Sequence, residues 1–337
     1  MRLATLADGT PDGALVVVSR DAVRCLPATG IADTLQQAVE RWEAVEQALR
    51  DLAARLDGGE GDALDNARLL APLPRAWQWL DGSAFPQHGE LMQRAFNLPP
   101  IETDRPLMYQ GLSDRFLSAT QDVPFPSEAD GIDFEGEFGI ITDAVPMGVA
   151  PDEAMSHIKL IIQINDWSLR AIAPIEMKTG FGWVQAKPAC SVAPFAITPD
   201  ELGEAWVDGR VHLPLRVTVN GQWFGHPHGR EMAFGFHELI AHAARTRDLV
   251  AGTIMGSGTV SNADYAAVGS SCISERRAIE MIAGGQPSTS FLHYGDRVEM
   301  EAAGSLFGTI DQKIVPWTSR GNACRSLADD PTCVGSG

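Results

Sequence analysis

The feature that most constrains the fold of this chain is a succession of strand-like segments beyond residue 105. Apolar residues there alternate with polar ones or form short runs between turn residues, and the clearest helical pattern covers residues 232–252. Asn220 and Gly221 separate two alternating runs, which predicts a β-hairpin with a two-residue turn. Many strands with sparse helices favour a mainly β, α+β fold, as a sandwich, roll or barrel, over a doubly wound sheet.

The first 68 residues show a different organisation. Residues 1–27 alternate short β-prone runs with turn residues, which indicates a small meander without a core of its own. Apolar residues over 34–56 recur at spacings of three and four and predict one long helix, with Thr34 and Gln37 as a capping box. We therefore expect a small N-terminal α/β domain over 1–68, a larger domain over 69–317 and a disordered polar tail over 318–337.

Charge and composition exclude several classes of protein. The 337 residues include 26 Lys and Arg against 44 Asp and Glu, a formal net charge of −18, so we expect no nucleic-acid partner. No apolar run approaches the ~18 residues that a membrane helix needs, and the opening residues do not form a signal peptide. We expect a soluble cytoplasmic protein without a membrane partner. The five scattered cysteines predict neither a disulfide framework nor a CxxC zinc site.

The segment IDFEGEFGIIT places three acidic residues at alternate positions of a predicted strand. Asp133, Glu135 and Glu137 therefore share one face, while Phe134 and its apolar neighbours pack on the other. One interpretation is a solvated acidic face on an edge strand. The other is a site for a hard cation, since Mg²⁺, Mn²⁺ and Ca²⁺ prefer carboxylate oxygens.

Three further features fit such a site, and each also has a plainer explanation. Asp166 ends an apolar strand, although Asp also begins turns for local reasons. Lys187 stands in an uncharged segment, where it either reaches solvent or holds an anionic oxygen beside a metal. The small residues of 256–262 offer free N–H groups and hydroxyls to an anion, although such loops are common.

In their order along the chain, these segments resemble the fumarylacetoacetate hydrolase family at its larger bacterial end. The motifs are an ExE pair, the NDWSxR strand end, a lysine followed by Ser and Pro, an SGT loop, and FGDRV-like and FGxIxQ-like strands. They correspond here to Glu135 and Glu137, residues 165–170, Lys187 with Ser191 and Pro194, residues 257–259, YGDRV and FGTIDQ. The resemblance covers residues 69–317 and is specific because many motifs keep their order and spacing.

The resemblance implies that residues 69–317 form a mixed β-roll catalytic domain with a divalent cation. It implies Glu135, Glu137 and Asp166 as ligands, and Asp81, seven residues before His88, as a fourth. Mg²⁺ is the expected ion, with Mn²⁺ and Ca²⁺ as alternatives. Family members are usually homodimers, and many larger bacterial members act in the breakdown of aromatic compounds, so the resemblance implies both here.

The resemblance also assigns the catalytic and substrate-binding residues. It implies His88 as the base, oriented by a carboxylate for which Glu90 and Glu275 are both candidates, because short family members carry a glutamate where this chain has Leu91. Lys187 is expected to stabilise negative charge. Substrate contacts are expected from Tyr109, Gln110, Lys187 and Thr259. The pair His226 and His228 has metal-ligand spacing, but we place it in a loop at the pocket rim without a role.

The implied activity is hydrolysis of a carbon–carbon bond in a β-diketo acid of fumarylacetoacetate or acylpyruvate type. His88 activates the water, and the cation stabilises the enolate leaving group. An alternative at the same site is decarboxylation or keto–enol isomerisation of oxaloacetate-like acids, which needs no activated water. A third hypothesis is a non-catalytic binding protein, since Leu91 replaces the glutamate of the short members.

Overall fold

The computed structural model describes residues 1–99, 103–304 and 306–318, and it has the mainly β, α+β fold that the sequence predicts. The tail expected at 318–337 lies outside the described residues from 319 onwards. The strands are β1 (Arg2–Leu6), β2 (Ala14–Val18), β3 (Arg24–Pro27), β4 (Asp62–Ala63), β5 (Trp79–Gly82), β6 (Met108–Gln110), β7 (Val123–Phe125), β8 (Ile132–Asp133), β9 (Gly136–Thr142), β10 (Ile158–Asn165), β11 (Ser168–Leu169), β12 (Ser191–Val192), β13 (Ala196–Ile197), β14 (Trp206–Val207), β15 (Arg210–Val211), β16 (Arg216–Val219), β17 (Gln222–Gly225), β18 (Ile254–Gly256), β19 (Arg297–Glu301) and β20 (Thr309–Pro316). The α-helices are α1 (Leu35–Glu40), α2 (Trp42–Asp57), α3 (Pro86–Phe96), α4 (Pro151–Ala154), α5 (Ala173–Thr179), α6 (Phe236–Ala243), α7 (Tyr265–Val268) and α8 (Ile273–Gly284).

Two sheets dominate the fold. The larger runs in the order β4-β3-β2-β1-β13-β10-β9-β18-β5-β6, with β12 also paired to β10, and the smaller runs β17-β16-β19-β20-β7. Neighbours are antiparallel except for the parallel pairs β5 with β18 and β7 with β20. The predicted N-terminal meander, β1 to β3, joins the larger sheet through β13, which explains why it needs no core of its own. The division into domains stays a prediction.

Alternation along the central strands builds a core on each face of the larger sheet. Ile140 and Ile161 are buried in the cluster that also contains apolar residues of the smaller sheet. Their neighbours Ile141 and Leu160 are buried in a second cluster with α1 and α2. Burying one such side chain contributes roughly 1.5–3 kcal/mol, so the two cores fix β9 and β10 firmly in the middle of the fold.

The prediction of a single long helix over 34–56 is wrong at one point. The chain leaves helical geometry at Arg41 (φ −127°, ψ 29°), which separates α1 from α2. The Arg41 side chain donates to the carbonyl of Ile31 at 2.8 Å, and its backbone carbonyl begins α2. The predicted apolar face is nevertheless continuous, from Leu35 in α1 to Leu56 in α2, because both helices bury it against the same cluster.

The helix predicted over 232–252 is shorter than expected. Only Phe236–Ala243 is α-helical, since Gly235 is extended and the Glu238 carboxylate accepts its N–H at 2.7 Å as a cap. The chain is extended again at Arg247. The hairpin prediction is confirmed: Asn220 (φ 52°) and Gly221 (φ 73°) form the two-residue turn between β16 and β17. Among the described residues, no helix is long and apolar enough to cross a membrane.

Candidate metal centre and active site

Three buried carboxylates meet at one end of the central strands. Asp81 lies on β5, Glu137 on β9 and Asp166 directly after β10, and one oxygen of each lies within 4.8 Å of the others. The pairing of the strands explains this meeting, since β18 lies between β5 and β9 and places Gly256 opposite Asp81. Residues distant in sequence thus become neighbours across four consecutive strands, β10, β9, β18 and β5.

Gly256 is the position that allows this close approach. A Cβ atom there would lie 2.9 Å from Oε2 of Glu137 and closer still to Oδ1 of Asp81. Real Cβ atoms do not approach other atoms so closely, so any other residue would displace the carboxylates. The absence of a side chain at Gly256 therefore leaves room for the carboxylates of Asp81 and Glu137.

The chemistry of the donor set fits a divalent cation. Both carboxylate oxygens of Glu137 are buried without a hydrogen-bond partner among the described residues. Burial raises the pKa of Glu137, and the nearby charges of Asp81 and Asp166 raise it further. Burial and Asp166 raise the pKa of Asp81 in the same way. Such crowding is costly unless a cation balances it, and Mg²⁺, Mn²⁺ and Ca²⁺ take this kind of ligand.

Asp166 is held by three neighbouring side chains. Its Oδ2 accepts from the hydroxyl of Tyr109 and from Nζ of Lys187, each at 2.6 Å, and its Oδ1 accepts from the thiol of Cys190 at 3.0 Å. Burial opposes the charge of Lys187, but Asp166 and Glu135 raise the pKa of this amine well above its ordinary value. Lys187 is therefore a fixed ammonium beside the carboxylates.

Glu135, expected as a ligand, is not one of the three clustered carboxylates. Its Oε1 accepts from Ser168 at 2.9 Å, Arg170 at 2.5 Å and Lys187 at 3.0 Å, and its Oε2 accepts from Thr259 at 2.9 Å. Burial opposes its ionisation, but the two cations hold the pKa of Glu135 below its ordinary value. Its contact with Lys187 links it to the cluster, and its role as a ligand remains a prediction.

The interpretation of the acidic strand as a solvated face is wrong. Asp133, Glu135 and Glu137 are all buried. Asp133 accepts from the backbone N–H groups of Ile273 and Ser274 at the start of α8, at 2.7 and 2.9 Å. The predicted strand is also divided, since Asp133 lies on β8, Glu137 on β9 and Glu135 between them, and the three carboxylates have three different environments.

His88 faces a carboxylate across two packed helices. Its Nδ1 lies 3.0 Å from Oε2 of Glu275, which is fully buried, while the His88 side chain is 18% exposed. α3 carries His88 and packs against α8, which carries Glu275. Of the two candidate partners, the structure therefore places Glu275 against the ring, whereas Glu90 is exposed. A carboxylate at Nδ1 leaves Nε2 free to accept a proton.

The remaining expected residues form hydrogen bonds with other groups of the chain. In the loop predicted to bind an anion, the N–H of Gly258 donates to Asp81 at 3.1 Å and the hydroxyl of Thr259 donates to Glu135. Both donors therefore bind carboxylates of this chain. Gln110 is exposed and accepts from Arg247 at 3.0 Å. The rings of His226 and His228 accept hydrogen bonds from Trp223 and from the N–H of Arg230.

Sequence reasoning gave no role to Arg170 or Cys190, which lie within the site. Arg170 bridges Asp133 and Glu135, and Cys190 donates to Asp166. The signal for Arg170 was present, since a cation two residues beyond Ser168 in a strand-end motif shares its face. Cys190 carried no such signal, because a lone buried cysteine is usually a packing residue.

A cavity of about 740 Å³ is lined by Tyr109, whose hydroxyl donates to Asp166. Its lining also includes Gln110, Trp183, Arg245 and Arg247. The ring of Trp183 packs edge-on against that of Tyr109, with centroids 6.1 Å apart. The cavity is therefore large enough for a small-molecule ligand.

Two family models match the chain. Residues 78–315 match the fumarylacetoacetate (FAA) hydrolase C-terminal model, and residues 1–75 match fumarylacetoacetase N-terminal domain 2. A relative, the 2,4-didehydro-3-deoxy-L-rhamnonate hydrolase of Sphingomonas sp. (strain SKA58), is 26% identical over 226 residues, which are 66% of this chain and 69% of the relative.

Solved structures share the fold. The maleylpyruvate hydrolase from Sphingobium sp. SYK-6, in complex with manganese(II) and pyruvate, has a TM-score of 0.65 at 17% identity, covering 94% of this chain and all of that one. The 5-carboxymethyl-2-hydroxymuconate delta-isomerase from Mycobacterium smegmatis has a TM-score of 0.60 at 17% identity, covering 95% of this chain and all of that one. At these identities the likeness is one of fold.

Proposed function

The chain belongs to the fumarylacetoacetate hydrolase family, and from this we propose that it is a divalent-metal-dependent hydrolase that cleaves a carbon–carbon bond in a β-diketo acid. The proposed substrates are of the fumarylacetoacetate or acylpyruvate type. For an acylpyruvate, water would add to the acyl carbonyl, and the products would be a carboxylic acid and pyruvate.

One observation carries the proposal. The carboxylates of Asp81, Glu137 and Asp166 converge in a buried space, and both oxygens of Glu137 have no partner among the described residues. Lys187 and hydrogen bonds stabilise Asp166 and Asp81 in part, but a structural role alone would leave the cost of the buried carboxylate of Glu137 without compensation. A bound cation there offsets this cost and supplies Lewis-acid stabilisation of the negative charge that develops on the substrate oxygens. The manganese and pyruvate bound by the Sphingobium maleylpyruvate hydrolase support the same assignment.

The surrounding residues provide the other parts of a hydrolytic mechanism. Glu275 orients His88 through Nδ1, so that Nε2 takes a proton from the attacking water. The Lys187 ammonium lies beside Asp166 and stabilises the enolate as the carbon–carbon bond breaks. Returning the proton to the enolate carbon completes pyruvate. Tyr109 and Gln110 line the cavity where the acyl chain would lie.

The first experiment is a metal-dependent activity screen. Metal-stripped protein receives Mg²⁺, Mn²⁺ or Ca²⁺ and is tested on acylpyruvates, fumarylacetoacetate-like acids and oxaloacetate, with products identified by mass spectrometry. Cation-dependent formation of two acid fragments is the expected result. Release of CO₂, or an isomer without cleavage, would instead identify a decarboxylase or an isomerase at this site. Absence of turnover with all substrates, despite bound metal, would favour a binding protein.

The partner of His88 gives a second prediction. Replacing Glu275 by Gln keeps the shape but removes the negative charge that stabilises the protonated ring, so we expect kcat to fall roughly 10- to 1000-fold. Glu90→Gln tests the other candidate from the same helix as His88, and we expect at most a twofold change because that side chain is exposed. Steady-state kinetics at saturating Mn²⁺ compare the two. A larger loss in Glu90→Gln would reverse the assignment.

A further inference from the structure

We propose that Glu176 is a positioning residue for Lys187. Its carboxylate fixes the backbone immediately before Lys187, and thereby the place of the ammonium beside Asp166 and Glu135. This inference rests on the proposed function, in which that ammonium stabilises the enolate. It adds a residue that acts on the reaction only through Lys187.

Three successive backbone N–H groups donate to the carboxylate of Glu176. Those of Val184 and Ala186 donate to Oε2 at 3.1 and 3.0 Å, and that of Gln185 donates to Oε1 at 2.8 Å. These residues belong to no helix or strand, and among the described residues their N–H groups have no other acceptor. Hydrogen bonds to an ionised acceptor are strong, and successive N–H groups form a concave site for an anion. Glu176 therefore supplies the partners that this irregular segment lacks.

The helix that carries Glu176, α5, is not held in place by burial. None of its seven residues is buried, and the side chains of Ile175 and Met177 are 68% and 63% exposed. Most helices in proteins are stabilised by packing an apolar face against a core, and α5 has no such face. The hydrogen bonds of Glu176 therefore join this helix to the segment that leads to Lys187.

Ala186 connects these hydrogen bonds to Lys187. Its N–H donates to Glu176, its carbonyl accepts from the N–H of Leu169 at 2.8 Å, and its side chain is fully buried. A flexible four-carbon stem separates the lysine ammonium from the backbone, so ion pairs alone do not determine where the ammonium lies. A fixed Ala186 restricts the Lys187 ammonium to the place where the enolate oxygen would form.

The first test is kinetic. Glu176→Ala removes all three acceptors, so we expect kcat to fall about 30-fold, because a displacement of about 1 Å at the reacting centre can cost 10²-fold. KM should change less than about threefold, since Lys187 acts on charge that develops in the transition state. Glu176→Gln keeps a carbonyl acceptor and should recover part of the loss. The matched control is Glu280→Ala, since Glu280 accepts from the N–H groups of Ser288 and Thr289 at 2.6 and 2.9 Å, and kcat should then change less than about twofold.

A double-mutant cycle tests whether Glu176 acts through Lys187. In a Lys187→Met background, Glu176→Ala should cause no further loss of kcat, whereas independent effects would multiply. Equal losses in both backgrounds would overturn the inference. Hydrogen exchange measured by mass spectrometry should show faster exchange at residues 184–186 in Glu176→Ala and at 288–289 in Glu280→Ala. Unchanged exchange at 184–186 would also overturn it.

A binding measurement separates failure of the inference from failure of the proposed function. Oxalate carries adjacent anionic oxygens like those of the pyruvate enolate, so calorimetry with oxalate and the Mn²⁺-loaded protein reports on Lys187 without requiring turnover. Cleavage at the wild-type kcat in Glu176→Ala would overturn the inference and leave the hydrolase standing. No turnover in the wild type, but oxalate binding that Glu176→Ala weakens and Glu280→Ala keeps, would overturn the hydrolase and support the inference. Unchanged oxalate affinity in Glu176→Ala would overturn the inference in either case.

Discussion

Replacing His88 by Asn is expected to lower kcat about a thousandfold while leaving Mn²⁺ binding unchanged. The reason is that His88, oriented by Glu275, is the proposed base, and a positioned base contributes roughly 10²- to 10⁴-fold. His88 is not among the three residues that would hold the cation, so the variant should still bind Mn²⁺. Steady-state kinetics give kcat, and calorimetric titration with Mn²⁺ gives the affinity.

The chain offers a matched control for this experiment. His157 bonds to Asp143 through Nδ1 at 2.6 Å and is 21% exposed, much like His88, but neither residue lies among those that line the site. His157→Asn should therefore change kcat less than twofold. Full activity in His88→Asn would remove His88 as the base, whereas equal losses in both variants would indicate a general loss of structure.

Replacing Glu137 by Gln is expected to abolish tight cation binding and to make the metal-free protein more stable. Both Glu137 oxygens lack a partner among the described residues, and Asp81 and Asp166 lie close by. A neutral amide relieves this repulsion and supplies two donors, so we expect the free energy of unfolding to rise by about 2 kcal/mol. Thermal and urea unfolding in EDTA measure the stability, and calorimetry measures the loss of Mn²⁺ affinity, which we expect to exceed a hundredfold.

The neighbouring Glu135 should respond in the opposite direction. Glu135→Gln leaves Arg170 and Lys187 with less negative charge in a buried setting, so the metal-free protein should lose about 3 kcal/mol of stability. Its Mn²⁺ affinity also tests the sequence-based expectation that Glu135 is a ligand. A stabilised Glu135→Gln, or a destabilised Glu137→Gln, would contradict this account of the charges.

The sequence predicted local features well where neighbouring residues determine them. The hairpin at Asn220 and Gly221 follows from two residues that accept positive φ. In contrast, the alternation around Glu135 and Glu137 predicted one continuous strand, whereas the structure has two, β8 and β9, with Glu135 between them. The break at Arg41 depends on a hydrogen bond to another segment, and the periodicity continues through it, so the pattern predicted one helix.

The sequence could not predict the partners of each acidic side chain. Among the described residues Glu137 has no donor and lies beside Asp81 and Asp166, whereas Glu135 accepts from Arg170 and Thr259. These residues come from four separate segments. For the same reason, the sequence could not decide whether Glu90 or Glu275 is the partner of His88. Only the packing of α3 against α8, neither of which the sequence pattern predicted, brings Glu275 to His88.

The parallel pairing of β5 with β18 also bears on when the site can exist during synthesis of the chain. The hydrogen bond from Gly258 to Asp81 joins residues 177 positions apart, so β18 and the loop after it leave the ribosome long after β5. At 5–20 residues per second the delay is roughly 10 to 35 seconds. A nascent chain carries its acidic residues throughout that interval without the geometry to hold them together. The carboxylates can therefore be held together only after residue 258 has been synthesised, in the last third of the chain.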